Sequence, residues 1–285
     1  MFEYVICVGA MKAGTTLLYY HLLDHPQIRT GHKKELAYFM NVQEPDKAEY
    51  DALFPEGEGL KLDITPFYLC HGPCIDRMRQ ILDPTKVAVI AILRDPVERA
   101  FSQYRMRCSQ GIEDVPFPQT LALEKQRTAG SLYNMRMYNY FMRSHYALQV
   151  DKLYQTFPEE NILLCLFEDF VKDQQGCMDQ VCDFLGISRI KARPMHTNKT
   201  VVHVKSRLLD KFVACVARLM PKRLRADWMR NLRRKVRDAN ERKDIKDSID
   251  PAFEKELIEL YREDVVQLRD AYGVDVSRWK HFTHL

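Results

Sequence analysis

The sequence has few of the features that mark several large classes of protein. Its longest strongly apolar run, Val87 to Leu93, is far shorter than the roughly 20 residues of a membrane-spanning helix. Its eight cysteines include no C-x-x-C pair, which argues against a zinc site and favours free thiols. Lys and Arg number 43 against 39 Asp and Glu, a net charge of +4, too small for a dedicated nucleic-acid binder. No metal site and no nucleic-acid partner are therefore expected.

The beginning of the sequence, MFEYVICVGA, also lacks the basic start, long apolar stretch and cleavage site of a signal peptide. It is typical of a first β-strand, and the expected location is cytoplasmic. Hydrophobic residues make up 46% of the 285, which is ordinary for a globular protein.

Strand-like and helix-like segments alternate along the chain, which predicts a central parallel β-sheet flanked by helices. The predicted strands are 4–8, 60–64, 87–93 and 161–167. The predicted helices are 15–23, 73–82, 138–157 and 177–185, followed by a mostly helical C-terminal third from about Lys205. We expect one α/β domain over residues 1–285.

Residues 9 to 16, G-A-M-K-A-G-T-T, have the position and spacing of a loop that cradles phosphate. They follow a predicted strand and open a predicted helix, whose first N–H groups favour an anion. The pattern of nucleoside triphosphatases requires lysine directly after the second glycine, but Thr15 stands there and the lysine is Lys12. A lysine inside the loop can neutralise charge on a leaving oxygen. The alternative is an ordinary strand–helix turn with a solvated lysine.

A second motif, A-I-L-R-D-P-V-E-R-A-F-S-Q-Y, covers residues 91 to 104. Arg94 ends a predicted buried strand, where ligands bind in open parallel sheets, and its guanidinium suits a phosphate. Asp95 and Glu98 are placed for a capping box at the start of the next helix. The alternative for Arg94 is pairing with an acid at the strand end.

The combination of K-x-G-T-T with L-R-D-P-x-x-R-x-x-S resembles the sulfotransferases that use 3′-phosphoadenosine 5′-phosphosulfate (PAPS) as donor and release 3′-phosphoadenosine 5′-phosphate (PAP). The resemblance implies a P-loop-like fold and two anion sites. Residues 12–16 would bind the 5′-phosphosulfate: Lys12, Ala13, Gly14, Thr15 and Thr16. Arg94 and Ser102 would bind the 3′-phosphate, and Lys199 lies where relatives have a loop that closes over the nucleotide.

Further segments are similar to the bacterial and glycan-modifying branch of this family. They are K-E-L-A-Y-F from Lys34, T-P-F-Y from Thr65 and the later segment NILLCLFEDF. By that resemblance Glu35 is the general base and Lys12 stabilises the leaving oxygen. The alternative for Glu35 is a surface carboxylate paired with Lys33 or Lys34. Other candidate bases are His32, His71 and His196.

One position departs from the glycan-modifying pattern E-K-[ST]-P, because this chain has Asp63-Ile64-Thr65-Pro66. The missing lysine puts a glycosaminoglycan acceptor in doubt and leaves Asp63 either facing a small or cationic acceptor or closing a strand. The basic, amphipathic segment 222–237 predicts a helix with a solvated basic face; membrane contact is the alternative.

The function predicted is transfer of the sulfuryl group from PAPS to a hydroxyl or amine of a small molecule, for example in natural-product modification. Two alternatives stay open. A nucleotide kinase would need lysine at position 15, and a non-catalytic anion-binding module would bind the donor or PAP without turnover. The sequence indicates neither the acceptor nor the oligomeric state.

Overall fold

The structure, a computed structural model, describes residues 1–192 and 248–285. The described residues group into two compact units, one of 1–99, 142–192 and 256–285 and the other of 100–141 and 248–255. The first unit contains the whole sheet, and the expectation of a single domain stays a prediction. Lys199, His196 and the basic segment 222–237 lie outside the described residues.

The sheet of the first unit has five parallel strands in the order β2-β3-β1-β4-β5. They are β1 Tyr4–Gly9, β2 Ile28–Thr30, β3 Leu60–Ile64, β4 Val87–Leu93 and β5 Ile162–Leu166. Every residue of β1 and β4 is buried, as their unbroken apolar sequences predict for strands covered on both faces. The predicted parallel α/β sheet is confirmed.

The order of the strands determines where a ligand can bind. Ile6 of β1 is in register with Asp63 of β3 on one side and with Val89 of β4 on the other. The chain fills one side of β1 first and then crosses to the other side. In open parallel sheets such a reversal leaves a crevice at the carboxyl ends of the strands. The loops that follow β1, β3 and β4 all begin at that edge.

Helices connect the strands and continue beyond them. In chain order the helices are α1 Thr15–Leu22, α2 Tyr38–Asn41, α3 Lys47–Asp51, α4 Gly72–Ile81, α5 Pro96–Ser109, α6 Phe117–Thr128, α7 Leu132–Tyr138, α8 Ala147–Tyr154, α9 Phe167–Lys172, α10 Gln174–Leu185 and α11 Pro251–Tyr272. Gly186 ends α10 with φ 65°, as its position after the helix predicts. Of the helices in the described ranges, none has the length and apolar character needed to cross a bilayer.

The second unit has an aromatic core of its own. The ring of Phe117 lies 4.8 Å from Tyr104 and 5.3 Å from both Phe141 and Phe253, measured between centroids. Glu113 of the same unit is buried and pairs with Arg127 at 2.8 Å. These contacts hold α5, α6 and the start of α11 together within the unit.

The continuous helix predicted for residues 138–157 is wrong. Tyr138 ends α7, Met142–Ser144 form a short 3₁₀ turn, and only Ala147–Tyr154 form a further α-helix. The carboxylate of Asp264, on α11, accepts hydrogen bonds from the backbone N–H groups of Tyr146 and Ala147 at 2.8 and 3.0 Å. Since these amides are taken by a distant side chain, the helix begins at Ala147 rather than at Tyr138.

Candidate active site

The loop between β1 and α1 has the backbone that an anion-binding loop needs. Gly14 caps α1 with φ 89°, and because glycine has no side chain, no side-chain cap covers the first-turn amides. The N–H groups of Thr15 and Thr16 lack intrahelical partners by the geometry of a helix start. Lys12, within the loop, also has a left-handed backbone, with φ 73°. The residues predicted to bind a 5′-phosphosulfate thus share one short loop at the carboxyl edge.

Arg94 joins the two sequence motifs. It follows the last residue of β4, and its Nη1 donates to the backbone carbonyl of Lys12 at 3.1 Å. Its Nη2 lies 3.3 Å from Glu98, and its guanidinium stacks 4.7 Å from the ring centroid of Phe167. The side chain remains 17% exposed. Arg94 therefore pairs with an acid, as the alternative interpretation predicts, and it also hydrogen-bonds to the backbone of the phosphate loop.

Phe167 is a site residue that the sequence analysis did not single out. A Cβ atom added to Gly14 would lie 2.9 Å from Cδ2 of Phe167, so the ring packs directly on the glycine at the helix start. The guanidinium of Arg94 stacks on the same ring. Its signals in the sequence were its place in the segment NILLCLFEDF and its position directly after strand β5, at the ligand-binding edge.

Two more arginines approach the phosphate loop. Arg99, fully buried, lies 3.5 Å from the backbone carbonyl of Met11 and donates to Ser144 Oγ at 2.6 Å. Arg143 lies 3.1 Å from Met11 Sδ and 4.8 Å from the ring of Phe67. Guanidinium groups of three arginines therefore contact this loop. Arg99 is part of the second motif, whereas no pattern pointed to Arg143.

Asp95 caps α5 as predicted, but the capping box is incomplete. Its Oδ1 accepts from the N–H groups of Val97 and Glu98 at 3.0 and 3.2 Å. Its own N–H donates to Glu168 at 3.1 Å rather than to Glu98, since Glu98 pairs with Arg94. The remaining oxygen of Asp95 lies 2.7 Å from Nδ1 of buried His281.

Glu168 carries an unusual carboxyl group beside this cap. Burial is the main cause that raises its pKa, to about 7, and the nearby Asp95 charge adds to it. Its second oxygen, Oε2, is buried without a hydrogen-bond partner among the described residues. A group in these surroundings gains or loses a proton near neutral pH.

Glu35, the predicted base, lies in a short loop between β2 and α2 with an unusual backbone. Glu35 has φ 61° and Ala37 has φ 56°, both in the region that L-residues rarely adopt. The Glu35 side chain is 39% exposed and pairs with Lys34 at 2.9 Å. The pairing given above as the alternative is present, and the catalytic role of Glu35 stays a prediction.

Asp63 does not face an acceptor, because the side chain is fully buried. It accepts hydrogen bonds from the hydroxyls of Thr65 at 2.7 Å, Tyr68 at 2.9 Å and Tyr50 at 3.3 Å. Burial raises the pKa of this carboxyl to about 6, although the hydroxyl bonds act in the opposite direction. Of the two interpretations given above, the structure shows a carboxylate near the end of strand β3 and not one that faces an acceptor.

The remaining predicted residues in the described part of the chain are Ser102 and the candidate bases His32 and His71. Ser102 lies on α5 in the second unit and is half-buried, so its part in binding a 3′-phosphate rests on the motif. His32 is exposed, and the pKa of half-buried His71 is lowered by burial and then by Arg77 and Arg143. Neither histidine has an observed link to the phosphate loop that would favour it over Glu35 as the base.

The chain belongs to the sulfotransferase family, because the family model of the sulfotransferase domain matches residues 70–268. This range contains Arg94 and Ser102 but begins after Lys12 and Glu35. A sulfotransferase from Alicyclobacillus acidocaldarius has a similar structure, with a TM-score of 0.70 at 23% identity, over 98% of this chain and 99% of that one. That similarity shows the fold.

Two curated relatives are similar in sequence. The membrane-associated sulfotransferase kil1 of Dictyostelium discoideum is 39% identical over 104 residues, 35% of this chain and 22% of that protein. The human heparan sulfate glucosamine 3-O-sulfotransferase 3B1 is 30% identical over 199 residues, 68% of this chain and 49% of that protein. The chain thus spans about half of one relative and less than a quarter of the other.

Proposed function

We propose that this protein is an enzyme that transfers the sulfuryl group of PAPS to a hydroxyl or amine of a small-molecule acceptor. The observation that carries the proposal is the hydrogen bond from Arg94 to the carbonyl of Lys12, which joins the two anion-binding motifs at one edge of the sheet. A donor with phosphate groups at both the 5′ and the 3′ position needs two such motifs. Family membership supports the same reaction class.

In this mechanism the amides of Gly14, Thr15 and Thr16 bind the 5′-phosphosulfate at the start of α1. Arg94, with Ser102 and Lys199 on the strength of their motifs, binds the 3′-phosphate. Glu35 accepts the proton of the acceptor hydroxyl or amine while its oxygen or nitrogen attacks sulfur. The bond from sulfur to the bridging oxygen breaks, PAP leaves with that electron pair, and Lys12 stabilises the charge.

The acceptor is the less constrained part of the proposal. Ile64 is buried at the position where glycan-modifying relatives have lysine, and this supports a small acceptor over a sulfated glycan. The human relative is named for heparan sulfate glucosamine, so a heparan-type oligosaccharide belongs in the acceptor panel as the main competitor. We also propose a cytoplasmic setting.

The test is transfer of labelled sulfate from PAPS to a panel of phenols, alcohols, amines and heparan-type oligosaccharides. We expect transfer to a small hydroxyl or amine, lost in Lys12→Ala. Labelled phosphate from ATP provides the kinase comparison, and transfer of phosphate but not sulfate would overturn the proposal. Binding of PAP without turnover of any acceptor would instead favour the anion-binding module.

A further inference from the structure

We propose that Asp63 and Thr65 are positioning residues that hold the Glu35 loop in its reactive arrangement. The inference rests on the proposed function, since it takes Glu35 as the base of sulfuryl transfer. The two residues themselves are buried and act through the backbone of the loop.

The Glu35 loop needs an external constraint because its backbone is strained. Glu35 and Ala37 have φ values of 61° and 56°, and neither is glycine. Each residue held in this region costs about 1–3 kcal/mol and persists only when its surroundings over-determine it. An isolated loop would relax, and the Glu35 carboxyl group would then move.

Thr65 and Asp63 supply that constraint through buried hydrogen bonds. The N–H of Ala37 donates to Thr65 Oγ1 at 3.1 Å, and the Thr65 hydroxyl in turn donates to Asp63 Oδ1 at 2.7 Å. Asp63 also accepts from the backbone N–H of Leu36. The two amides that follow Glu35, those of Leu36 and Ala37, are therefore held by the side chains of Asp63, in β3, and Thr65, just after it.

The same residues tie the loop to the phosphate site. The N–H of Thr65 donates to the carbonyl of Cys7 at 3.1 Å, and Cys7 lies two residues before Gly9. The N–H of Leu69 donates to the carbonyl of Val8 at 2.8 Å. The segment after β3 is thus fixed to the end of β1, from which the Lys12 loop departs. Asp63 and Thr65 set the position of Glu35 relative to that end.

The chemistry at position 63 supports a positioning role over simple packing. A fully buried carboxylate carries a large desolvation cost, and in the described part of the chain the groups that act most strongly on Asp63 include no cation. Its partners are the hydroxyls of Thr65, Tyr50 and Tyr68 and one backbone amide. An apolar residue would avoid the cost but could not accept the bonds from Thr65 and Leu36. The Asp63 carboxylate is therefore suited to orienting Thr65 and the backbone of the Glu35 loop.

Thr65→Val removes the hydroxyl while keeping the shape of the side chain. We expect kcat for sulfate transfer to fall about 10²-fold, because displacement of a reactive group by about 1 Å costs that much. PAP affinity should stay at the wild-type value, since Glu35 does not bind the donor. Thr65→Ser, which restores the hydroxyl, should recover most of the turnover.

The matched control is Tyr4→Phe. Tyr4 is buried at the start of β1, and its hydroxyl donates to Asp51 at 2.6 Å, so Tyr4→Phe removes a hydrogen bond in which neither Asp63, Thr65 nor the Glu35 loop takes part. We expect Tyr4→Phe to lose stability with kcat unchanged. If the two variants lose kcat equally, or if Thr65→Ser does not rescue, the role of Thr65 is only structural and the proposal is overturned.

Hydrogen exchange of the Ala37 amide tests the loop without any turnover. Thr65→Val should speed this exchange relative to wild type, while Tyr4→Phe should not. If wild-type protein transfers no sulfate but the Ala37 amide is released as expected, the proposed function fails and the constraint on the loop stands. If wild type transfers sulfate and exchange at Ala37 is unaffected, the positioning role fails alone. Should Thr65→Val not fold, Tyr68→Phe, which loosens Asp63, should change both readouts in the same direction but less.

Discussion

Gly14→Ala separates the contribution of the phosphate-loop backbone from that of the ring packed on it. The φ of Gly14 is 89°, where an L-residue costs about 1–2 kcal/mol. The loss of chain entropy in the unfolded state returns about 0.4–1 kcal/mol of this. The backbone alone therefore predicts a loss of about 1 kcal/mol in the free energy of unfolding.

The new methyl group adds a steric effect at this position. It would lie 2.9 Å from Cδ2 of Phe167, well inside ordinary van der Waals contact, so the ring must move. The guanidinium of Arg94 stacks on that ring at 4.7 Å. A stacking interaction of this kind contributes about 0.5–2 kcal/mol. Because the stack orients Arg94, its loss predicts that PAP affinity falls, by at most about 30-fold.

Gly186→Ala is the matched control, because Gly186 has φ 65° and nothing within 4 Å of an added Cβ. It should show only the backbone loss of stability, about 1 kcal/mol by urea unfolding, and no change in PAP affinity by calorimetry. Phe167→Leu should weaken PAP binding without the backbone cost, and the Gly14→Ala and Phe167→Leu effects on affinity should not add. Gly14→Ala protein that binds PAP as tightly as Gly186→Ala would refute the reasoning.

Three further predictions concern the donor, the base and the buried acid. PAP should raise the melting temperature far more than 5′-AMP, because Arg94 and Ser102 are assigned to the 3′-phosphate, and equal shifts would remove that assignment. Glu35→Gln should lower turnover roughly 10²-fold or more with PAP affinity retained, whereas Lys12→Ala should weaken PAPS binding more than PAP binding. Calorimetry and a transfer assay distinguish the two variants, and near-normal turnover in Glu35→Gln would place the base elsewhere. Because burial raises the pKa of Glu168 to about 7, the stability from its neutral form should be lost as pH rises through about 7. Glu168→Gln should therefore gain stability relative to wild type between pH 4.5 and 7.5 in urea unfolding, and a constant difference would contradict the raised pKa.

The sheet was predictable because its strands carry their own signals. The runs at 60–64 and 87–93 are strands with the predicted bounds. In 87–93 apolar residues, four of them β-branched, fill all seven positions, and every one is buried. The three-residue strand β2, Ile28–Thr30, was missed because so short a segment has no periodicity. The false helix at 138–157 has the opposite cause, because its local pattern is overridden by Asp264 from the far end of the chain.

The candidate site was predictable to the extent that its residues belong to a motif. The K-x-G-T-T and L-R-D-P segments located Lys12 and Arg94, and the structure joins them through one hydrogen bond. Phe167 lies in the NILLCLFEDF segment of the resemblance, but nothing in that segment singles out its ring, and Arg143 lies in none of the motifs. Both reach the phosphate loop because of where β5 and the turn before α8 lie in three dimensions. No spacing rule along the chain describes such contacts.

Backbone strain gives an indication of function that is independent of the resemblance. Among the described residues, three that are not glycine have a positive φ: Lys12, Glu35 and Ala37. Two of these are the residues to which the motifs assign catalytic roles, and the third lies two positions after Glu35. Each such conformation costs about 1–3 kcal/mol, which a chain selected for stability alone would avoid by placing glycine there. Glycine would supply the backbone but not an ammonium or a carboxylate group. The strain at Lys12 and Glu35 is therefore best explained by a need for those two charged groups at fixed positions on the carboxyl edge of the sheet.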